Sequence, residues 1–308
     1  MVRITNMKDL IGIIKDKLSL SKLTLLSNPK TSYLHIAVLR TTSHSPSTPP
    51  NDHHLATILS LGDSSRATAS TIIHSLITRL HRTTNSHVAL KCLLTIHHII
   101  KRGPFILKDH LRILPSTKGR NNLKLSSFRD GTSPATWALS AWVRWYARYI
   151  ETILFTSKNM DFDIYSSLIE KEKQRDFISS GMNSDLIRDV GLLVGVIEEI
   201  CKVPDNLLVE RDRLVRGVME LLGNDYLSMV NGILFRLGEF KERVGLLSFN
   251  DSVELGSVLD RLTACKEKSL RLFSVRKISV ETLWEMIEEL NSKIGVGGVS
   301  QLGLVTGL

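Results

Sequence analysis

The sequence predicts an all-α protein built from stacked antiparallel helix pairs, as either a right-handed solenoid or an extended bundle. Val88, Cys92 and Ile96 recur at four-residue intervals inside a segment that is apolar around most of its circumference, which is typical of a helix buried among others. Ser133 followed by Pro134 is a helix start signal, an N-cap residue and then proline at the first helical position. No alternating β pattern persists along the chain.

Helical periodicity extends over nearly the whole sequence. It predicts helices at 7–20, 30–40, 52–61, 66–82, 86–101, 103–113, 134–156, 163–178, 184–201, 206–223, 225–244, 251–274 and 279–293. Asp205, Asp251 and Ser279 are the expected caps of later helices. Two segments break the pattern: a Ser/Thr/Pro-rich loop at 41–51 and a glycine-rich, uncharged tail at 294–308, which we expect to be flexible.

The composition is typical of a soluble globular protein from a reducing compartment. Three widely spaced cysteines among 308 residues suggest neither a disulfide framework nor a zinc cluster. No stretch approaches the roughly 18 apolar residues that a membrane span needs, and Lys8 and Asp9 precede the short run 10–14, which argues against a signal peptide. A transit peptide is the alternative for this Glu-free start, and Asp9 and Asp16 count against it.

The sequence contains no recognisable catalytic motif. Nucleophile motifs, a P-loop, Rossmann glycines and paired carboxylates are all missing, so we predict neither enzymatic activity nor a cofactor. His97 and His98 point about 100° apart on a helix, which favours packed histidines over a metal site. Five aromatic residues follow core-like spacing, which favours packing over stacking with nucleic-acid bases. They are Trp137, Trp142, Trp145, Tyr146 and Tyr149.

Charge is distributed unevenly along the chain. Residues 1–130 contain 19 Lys and Arg against 6 Asp and no Glu, although the whole chain has a net charge of only +9. All ten histidines also precede residue 111. A basic front half predicts a polyanionic partner, either nucleic acid or an anionic membrane surface.

The loop 41–51 and its flanks are a candidate phosphate site. Arg40 ends one helix, and His53 and His54 lie at the start of the next, where unpaired N–H groups and the helix dipole favour an anion. A solvated loop with incidental histidines explains the same residues, and the pattern alone leaves both interpretations open.

Three segments, in order along residues 20–155, resemble the ANTH family. Arg40–Thr42 and Pro49–His54 are similar to the family's Lys-Ala-Thr and Pro-Pro-Lys-x-Lys-His signature, with one extra residue between the two parts. Leu80–His98 resembles its R-T-T-N-S…K…L-x-x-x-H-H segment. Leu125–Asp130 followed by Trp145–Ile150 resembles its L-S-x-F-x-D loop and R-Y-x-R-Y-L helix. The chain is thereby similar to plant-type clathrin assembly proteins.

The resemblance implies a right-handed superhelical solenoid of antiparallel helix pairs, ENTH/ANTH-like, with a C-terminal helical extension. It implies binding of phosphatidylinositol 4,5-bisphosphate through Arg40, Asn51, His53 and His54. Asn51 and His53 stand where the family has lysines, and histidine is mostly neutral at pH 7. We therefore expect weak lipid binding that strengthens on mild acidification.

The N-terminal helix is a second candidate membrane contact. Leu10, Ile11, Ile14 and Leu18 share one face and lysines line another, as in a helix that inserts beside the headgroup. An ordinary first helix packed on the solenoid explains the pattern equally well.

The resemblance also implies partners and a location. We expect a non-enzymatic endocytic adaptor, peripheral on clathrin-coated pits and vesicles at the plasma membrane and Golgi, with vesicle SNAREs as further partners. Neither an Asn-Pro-Phe nor an Asp-Leu-Leu triplet occurs, so direct clathrin binding through such motifs is not expected. The expected division is 1–160 for lipid binding, 161–293 for the C-terminal helices and 294–308 for the tail. A basic scaffold that binds RNA is the alternative, and the motif matches argue against nucleic acid.

Overall fold

The structure is a computed structural model that describes residues 7–26, 29–45, 48–112, 123–160, 165, 176, 178–273 and 278–305. In chain order the helices are α1 (Met7–Leu26), α2 (Pro29–Thr41), α3 (Asp52–Gly62), α4 (Arg66–Arg82), α5 (Ser86–Arg102), α6 (Phe105–Arg112), α7 (Pro134–Asn159), α8 (Asn183–Ile200), α9 (Arg213–Arg243), α10 (Phe249–Ala264), α11 (Lys266–Leu272) and α12 (Ile278–Val305). A 3₁₀ turn, Val244–Leu246, follows α9. No strand occurs within these ranges, and the predicted all-α class is confirmed.

Side-chain caps explain why several helices begin where the sequence predicted. The Asn51, Ser65 and Asn85 side chains accept hydrogen bonds from backbone N–H groups in the first turns of α3, α4 and α5. Ser133 Oγ accepts from the N–H of Thr136 at 3.2 Å, and α7 begins at the next residue after Ser133, as the start signal indicated. Side-chain capping therefore determines where these helices begin, and capping residues can be recognised from the sequence alone.

The C-terminal helices differ more from the prediction. Helix α9 is continuous over Arg213–Arg243, where the sequence predicted a helix from 206 and a break at 224. A Cβ placed on Gly223 would lie 3.6 Å from the Phe273 ring, an ordinary van der Waals contact, and the helix passes through this glycine without a break. Residues 206–212 form turns, in which Asn206 Oδ1 accepts from the N–H of Leu208 at 2.9 Å.

Three further differences concern helix ends. Ser248 caps α10, and Asp251, the predicted cap, completes the capping box at the third helical position. The predicted helix 251–274 is divided at Cys265. Helix α12 continues to Val305, past the predicted end at 293, and no proline interrupts its backbone ladder. The predicted helix 163–178 lies almost entirely outside the described residues.

The chain forms two compact units, Met1–Leu154 with Val203–Glu220, and Phe155–Lys202 with Leu221–Leu308. The boundary predicted at residue 160 stays a prediction. In the first unit, α2 packs against α1, α3 and α4, and α4 packs against α5 and α6, as expected for stacked helix pairs. Helix α5 is the centre of this unit, since fourteen of its 17 residues are buried.

In the second unit, α10 packs against both α8 and α12. Arg236, 1% exposed at its side chain, donates to Asp189 Oδ2 through Nη2 at 2.8 Å and through Nε at 3.2 Å. Cys201 and Cys265 are buried free thiols. Among the described residues, no helix combines the length and the apolar character that crossing a bilayer requires.

Candidate functional site

The loop between α2 and α3 is held by buried polar contacts. Thr42 Oγ1 donates to Val38 O at 2.6 Å, which closes the end of α2. Lys91, 1% exposed, donates through Nζ to Ser43 O at 2.9 Å and also to Ser45 O. Burial lowers the pKa of Lys91 to about 8. A buried amine on α5 therefore fixes the path of the loop.

The basic corner, defined as Arg40, His53 and His54, lies at the two ends of this loop. Arg40 and His53 are exposed and His54 is half-buried. The two imidazole ring centroids are 5.7 Å apart. Burial lowers the pKa of His54, and the positive charges of His53 and Arg40 lower it further. Arg40 and His53 are thus near enough to His54 to influence its charge, and an anion beside them would favour protonation of His54.

Asn51 has a structural task beside this corner. Its side-chain oxygen accepts from the N–H of His53 at 2.8 Å and caps α3. The oxygen is therefore engaged, and only the amide NH₂ can donate to a ligand. Headgroup binding by Asn51 stays a prediction.

Helix α1 presents an apolar stripe to solvent. The exposed fractions are 42% for Leu10, 46% for Ile11, 48% for Ile14 and 64% for Leu18, and Met7 extends the stripe at 79%. The four residues predicted to share a face are thus exposed together. Their insertion into a membrane stays a prediction.

The opposite face of α1 is fastened to the rest of the unit by Asp16. Asp16 Oδ1 accepts from Arg79 Nη2 at 3.0 Å, and Asp16 Oδ2 accepts from the N–H of His44 at 2.7 Å. Burial alone raises the pKa of Asp16, but the hydrogen bonds from His44 and the charge of Arg79 outweigh it, and the net shift is downward. The carboxylate is therefore held ionised between α1, the loop and α4.

The second and third family-like segments, Leu80–His98 and Leu125–Asp130, have structural roles. Asn85 Oδ1 accepts from the N–H of Val88 at 3.0 Å and so starts α5. Asp130 Oδ2 accepts from the N–H of Ser86 at 2.9 Å, which joins the second motif to the third. Hydrogen bonds from Thr132 and Ser86 lower the pKa of Asp130 against the upward effect of its burial.

The predicted aromatic core is present with one exception. Trp142, Trp145, Tyr146 and Tyr149 are at most 5% exposed, whereas Trp137 is 54% exposed, so the core assignment of Trp137 was wrong. Trp137 lies near the start of α7, where the Arg129 guanidinium stands 5.8 Å from its ring centroid.

The adjacent histidines of α5 also pack as expected. His97 Nδ1 and Tyr146 Oη are 2.7 Å apart, and His98 Nδ1 accepts from Arg102. In the described ranges, no group of three or more His, Cys, Asp or Glu is placed to hold a metal ion.

Sequence reasoning missed Lys91 and Asp16. The atoms that Lys91 contacts lie 46 and 48 positions away in sequence, and Asp16 contacts residues 28 and 63 positions away. No local periodicity reveals contacts at such separations. The placement of Lys91 inside an otherwise apolar segment was the available signal, because a buried lysine requires partners.

Comparison with known proteins agrees with this geometry. The model of the ANTH domain matches residues 33–193. The Arabidopsis thaliana protein named "Putative clathrin assembly protein At4g40080" is 48% identical over 302 residues, which is 96% of this chain and 83% of the relative. A second Arabidopsis protein, "Putative clathrin assembly protein At5g10410", is 31% identical over 92% of this chain and 85% of its own length. The chain belongs to the ANTH-domain family.

Proposed function

We propose that this protein is a peripheral membrane adaptor that binds a phosphoinositide headgroup at the basic corner. Arg40, His53 and His54, at the two ends of one loop, carry the proposal, because each is a positive or protonatable donor and the charges of Arg40 and His53 act on His54. Charge-assisted hydrogen bonds to phosphate are about twice as strong as neutral ones. The N-terminus of α3, where unpaired N–H groups and the helix dipole favour anions, lies at the same place.

The apolar stripe of α1 adds a second membrane contact. A headgroup held at the corner keeps the first unit close to the bilayer, where Ile11, Ile14 and Leu18 enter the interfacial region. Two weak contacts on one rigid unit bind more tightly than either alone. The adaptor therefore needs no single strong lipid site.

The proposal extends to clathrin assembly and to where it takes place. The names of both relatives contain the words clathrin assembly protein, and those relatives align with most of this chain. We assign the protein to clathrin-coated pits and vesicles of the plasma membrane and Golgi. Localisation of a fluorescent fusion against clathrin light chain tests this part, and absence from coated structures contradicts it.

An apolar surface of the second unit supports a further partner, a vesicle SNARE helix. Phe249 and Val253, four residues apart on α10, are 50% and 56% exposed, and Leu246 in the preceding 3₁₀ turn is 81% exposed. An amphipathic helix presents apolar side chains at this spacing. Replacing Phe249 and Val253 by Gln should abolish pull-down of a purified SNARE segment, and undiminished capture rules this surface out.

Co-sedimentation with vesicles tests headgroup binding. Vesicles with phosphatidylinositol 4,5-bisphosphate should retain more protein at about pH 6 than at about pH 7.5, because a phosphate favours protonated imidazoles. The Arg40→Gln variant should bind about fivefold more weakly at both pH values, since one basic residue contributes on the order of 1 kcal/mol near an anionic surface. The His53→Gln, His54→Gln variant should lose the pH dependence.

Matched controls make the result specific. Arg66→Gln removes another exposed charge from the same unit and should leave retention unchanged. Vesicles with phosphatidylserine at equal total charge, and double-stranded RNA at the same salt, should bind more weakly. Stronger retention of RNA would favour the nucleic-acid scaffold, and pH-independent binding would remove the two histidines from the mechanism.

A further inference from the structure

Two of the three cysteines, Cys201 and Cys265, lie together in the second compact unit, although 64 positions separate them in the sequence. Cys201 follows the last residue of α8, and Cys265 stands between the end of α10 and the start of α11. Helices α8 and α10 pack against each other, and each ends at one of the two cysteines. The fold therefore pairs two thiols whose spacing in the sequence gave no sign of a pair.

The two cysteines are in direct contact. Cys201 Sγ donates to the backbone carbonyl oxygen of Cys265 across 3.9 Å, and a hydrogen bond also joins the two thiols. Both are free and buried, with 9% of Cys201 and 7% of Cys265 exposed. A disulfide requires the sulfur atoms to approach to about 2.05 Å. Because they already share a hydrogen bond, side-chain rotation is enough for this approach.

The contact gives the two thiols different acidities. A hydrogen bond from the Cys201 thiol lowers the pKa of Cys265, and this outweighs the upward effects of burial and of the Glu198 charge. The same hydrogen bond raises the pKa of Cys201, which therefore keeps its proton. The thiolate is the nucleophilic form of cysteine. Cys265 is thus suited to attack an oxidant, and Cys201 to resolve the product.

Cys92, in the first unit, provides an internal reference. Its side chain is fully buried within α5, and burial raises its pKa to about 12. A buried thiol of this kind has almost no thiolate near neutral pH and is inert. The chain therefore contains one unreactive cysteine and one pair whose geometry favours reaction.

We propose that Cys201 and Cys265 form a reversible disulfide when the protein meets hydrogen peroxide. The Cys265 thiolate attacks one peroxide oxygen, the O–O bond breaks, and one proton is taken up as water leaves, so that Cys265 becomes a sulfenic acid. The Cys201 sulfur then attacks the Cys265 sulfur. An S–S bond forms, the S–O bond breaks, and the departing hydroxide leaves as water with the proton of the Cys201 thiol.

The two steps balance. Two thiols and one hydrogen peroxide give one disulfide and two waters, and the two electrons lost by the sulfurs reduce the peroxide. Glutathione, the thiol of a reducing compartment, returns the pair to its free form by thiol–disulfide exchange. The site does not depend on lipid binding, because both cysteines belong to the second unit and the basic corner belongs to the first.

The crosslink has an expected effect on the second unit. It ties the end of α8 to the junction of α10 and α11 and closes a loop between residues 64 positions apart. A disulfide stabilises a protein mainly by restricting the unfolded chain, and more so for long loops. The melting temperature of the oxidised protein should therefore be higher by at least about 5 °C.

Thiol counting on the whole chain tests the proposal. The reduced protein, freed of reductant, is treated with hydrogen peroxide, unfolded in urea and titrated with dithiobis-nitrobenzoate. All three thiols should react before treatment, only Cys92 should react after it, and dithiothreitol should restore the original count. Mass spectrometry of the peptides should show Cys201 linked to Cys265.

Single variants separate the two roles. Cys201→Ser should leave Cys265 as a sulfenic acid that dimedone labels, whereas Cys265→Ser should slow the oxidation of Cys201 at least tenfold, since the attacking thiolate is gone. Cys92→Ser is the matched control and should form the same disulfide as fast as the wild type. Circular dichroism establishes that each variant is folded, and the wild-type thiol count tests the proposal without any variant.

Three outcomes would overturn the proposal. The first is a wild-type protein that keeps all three thiols under peroxide treatment that fully oxidises free glutathione. The second is a disulfide that includes Cys92 or joins two molecules in place of the Cys201–Cys265 link. The third is disulfide formation that is as fast in the urea-unfolded chain as in the folded protein, because the folded contact would then contribute nothing.

Discussion

Nζ of Lys91 lies 2.9 Å from the carbonyl oxygen of Ser43, so a buried amine of α5 holds the first residues of the loop between α2 and α3. Ser45 O accepts a second hydrogen bond from the same amine. The loop connects Arg40 to His53 and His54, and its path sets how far apart those side chains stand. Lys91 is therefore a positioning residue for the corner and does not itself reach the surface.

Replacing Lys91 by Met should lower the free energy of unfolding by about 1–3 kcal/mol, because two part-buried carbonyls lose their donor. Urea unfolding near neutral pH measures this. Lys124→Met, at an exposed lysine of the same unit, should change it by no more than about 0.5 kcal/mol.

The Lys91 variant also has an expected pH dependence. Between about pH 8, the folded pKa, and 10.5, the unfolded value, only the unfolded chain retains the proton. The free energy of unfolding of the wild type minus that of Lys91→Met should therefore rise with pH across this window. Below pH 8 this difference should be constant. A constant difference up to pH 10.5 would contradict the assigned burial of the charge.

Asn51→Lys should separate capping from lipid binding. The variant places a family-like lysine at the corner, and vesicle affinity should increase about fivefold. It also loses the side-chain cap of α3, and its free energy of unfolding should therefore be about 1 kcal/mol lower. Asn51→Ser keeps a capping oxygen without adding charge and should change neither quantity. A tighter-binding variant of unchanged stability would show that the cap contributes nothing.

Asp16→Asn should make the stability of the protein less dependent on pH in the acid range. The folded pKa of Asp16 is lowered, so the carboxylate stabilises the protein above its unfolded pKa of 3.8, and this stabilisation is lost as pH falls through the folded pKa. The variant should be less stable than wild type near pH 6 and equally stable well below pH 3.8. Thermal unfolding at a series of pH values measures the difference, and parallel curves would refute the assignment.

Replacing Ile14 and Leu18 by Gln should weaken vesicle retention at least tenfold, because each loses apolar area worth about 1.5–3 kcal/mol when buried. Both side chains are exposed, so the melting temperature should stay close to wild type. Phe105→Gln replaces a 69% exposed apolar side chain of α6 and serves as the matched control. Equal losses in both variants would indicate nonspecific adsorption.

In the second unit, Arg236→Met should lower the free energy of unfolding by about 3–5 kcal/mol, because the buried Asp189 loses two hydrogen bonds and, among the described residues, keeps only Arg188 Nη2 at 3.6 Å. Adding Asp189→Asn should restore part of that loss, since the uncompensated charge is gone. Urea unfolding of the two variants gives the comparison. A double variant no more stable than the single one would mean that packing, and not charge, dominates at this site.

The helices of the first unit were predictable because local signals set them. Asn51, Asn85 and Ser133 cap helices that begin where the sequence indicated. The break predicted at 224 was wrong, because α9 continues through Gly223 and Asn224, and one glycine inside a helix costs only about 1 kcal/mol relative to alanine. The corner residues were found through motif resemblance. A cleft of about 880 Å³ beside Asp16 was not, because residues of α1, α2, α4 and α5 line it and its charges are spread from Lys15 to Arg82.

The burial of α5 affects how loss-of-function variants should be interpreted. This helix carries Lys91 beneath the loop and begins at Ser86, with Asn85 as its N-cap. Random mutagenesis should therefore return α5 substitutions that weaken the proposed lipid binding by disturbing the loop, although none of the three corner residues belongs to α5. The loss of function in such a variant indicates misfolding unless its circular dichroism spectrum matches that of the wild type. Dyes and crosslinkers are better attached at exposed positions such as Lys124 or Lys158, where a reporter leaves the core undisturbed.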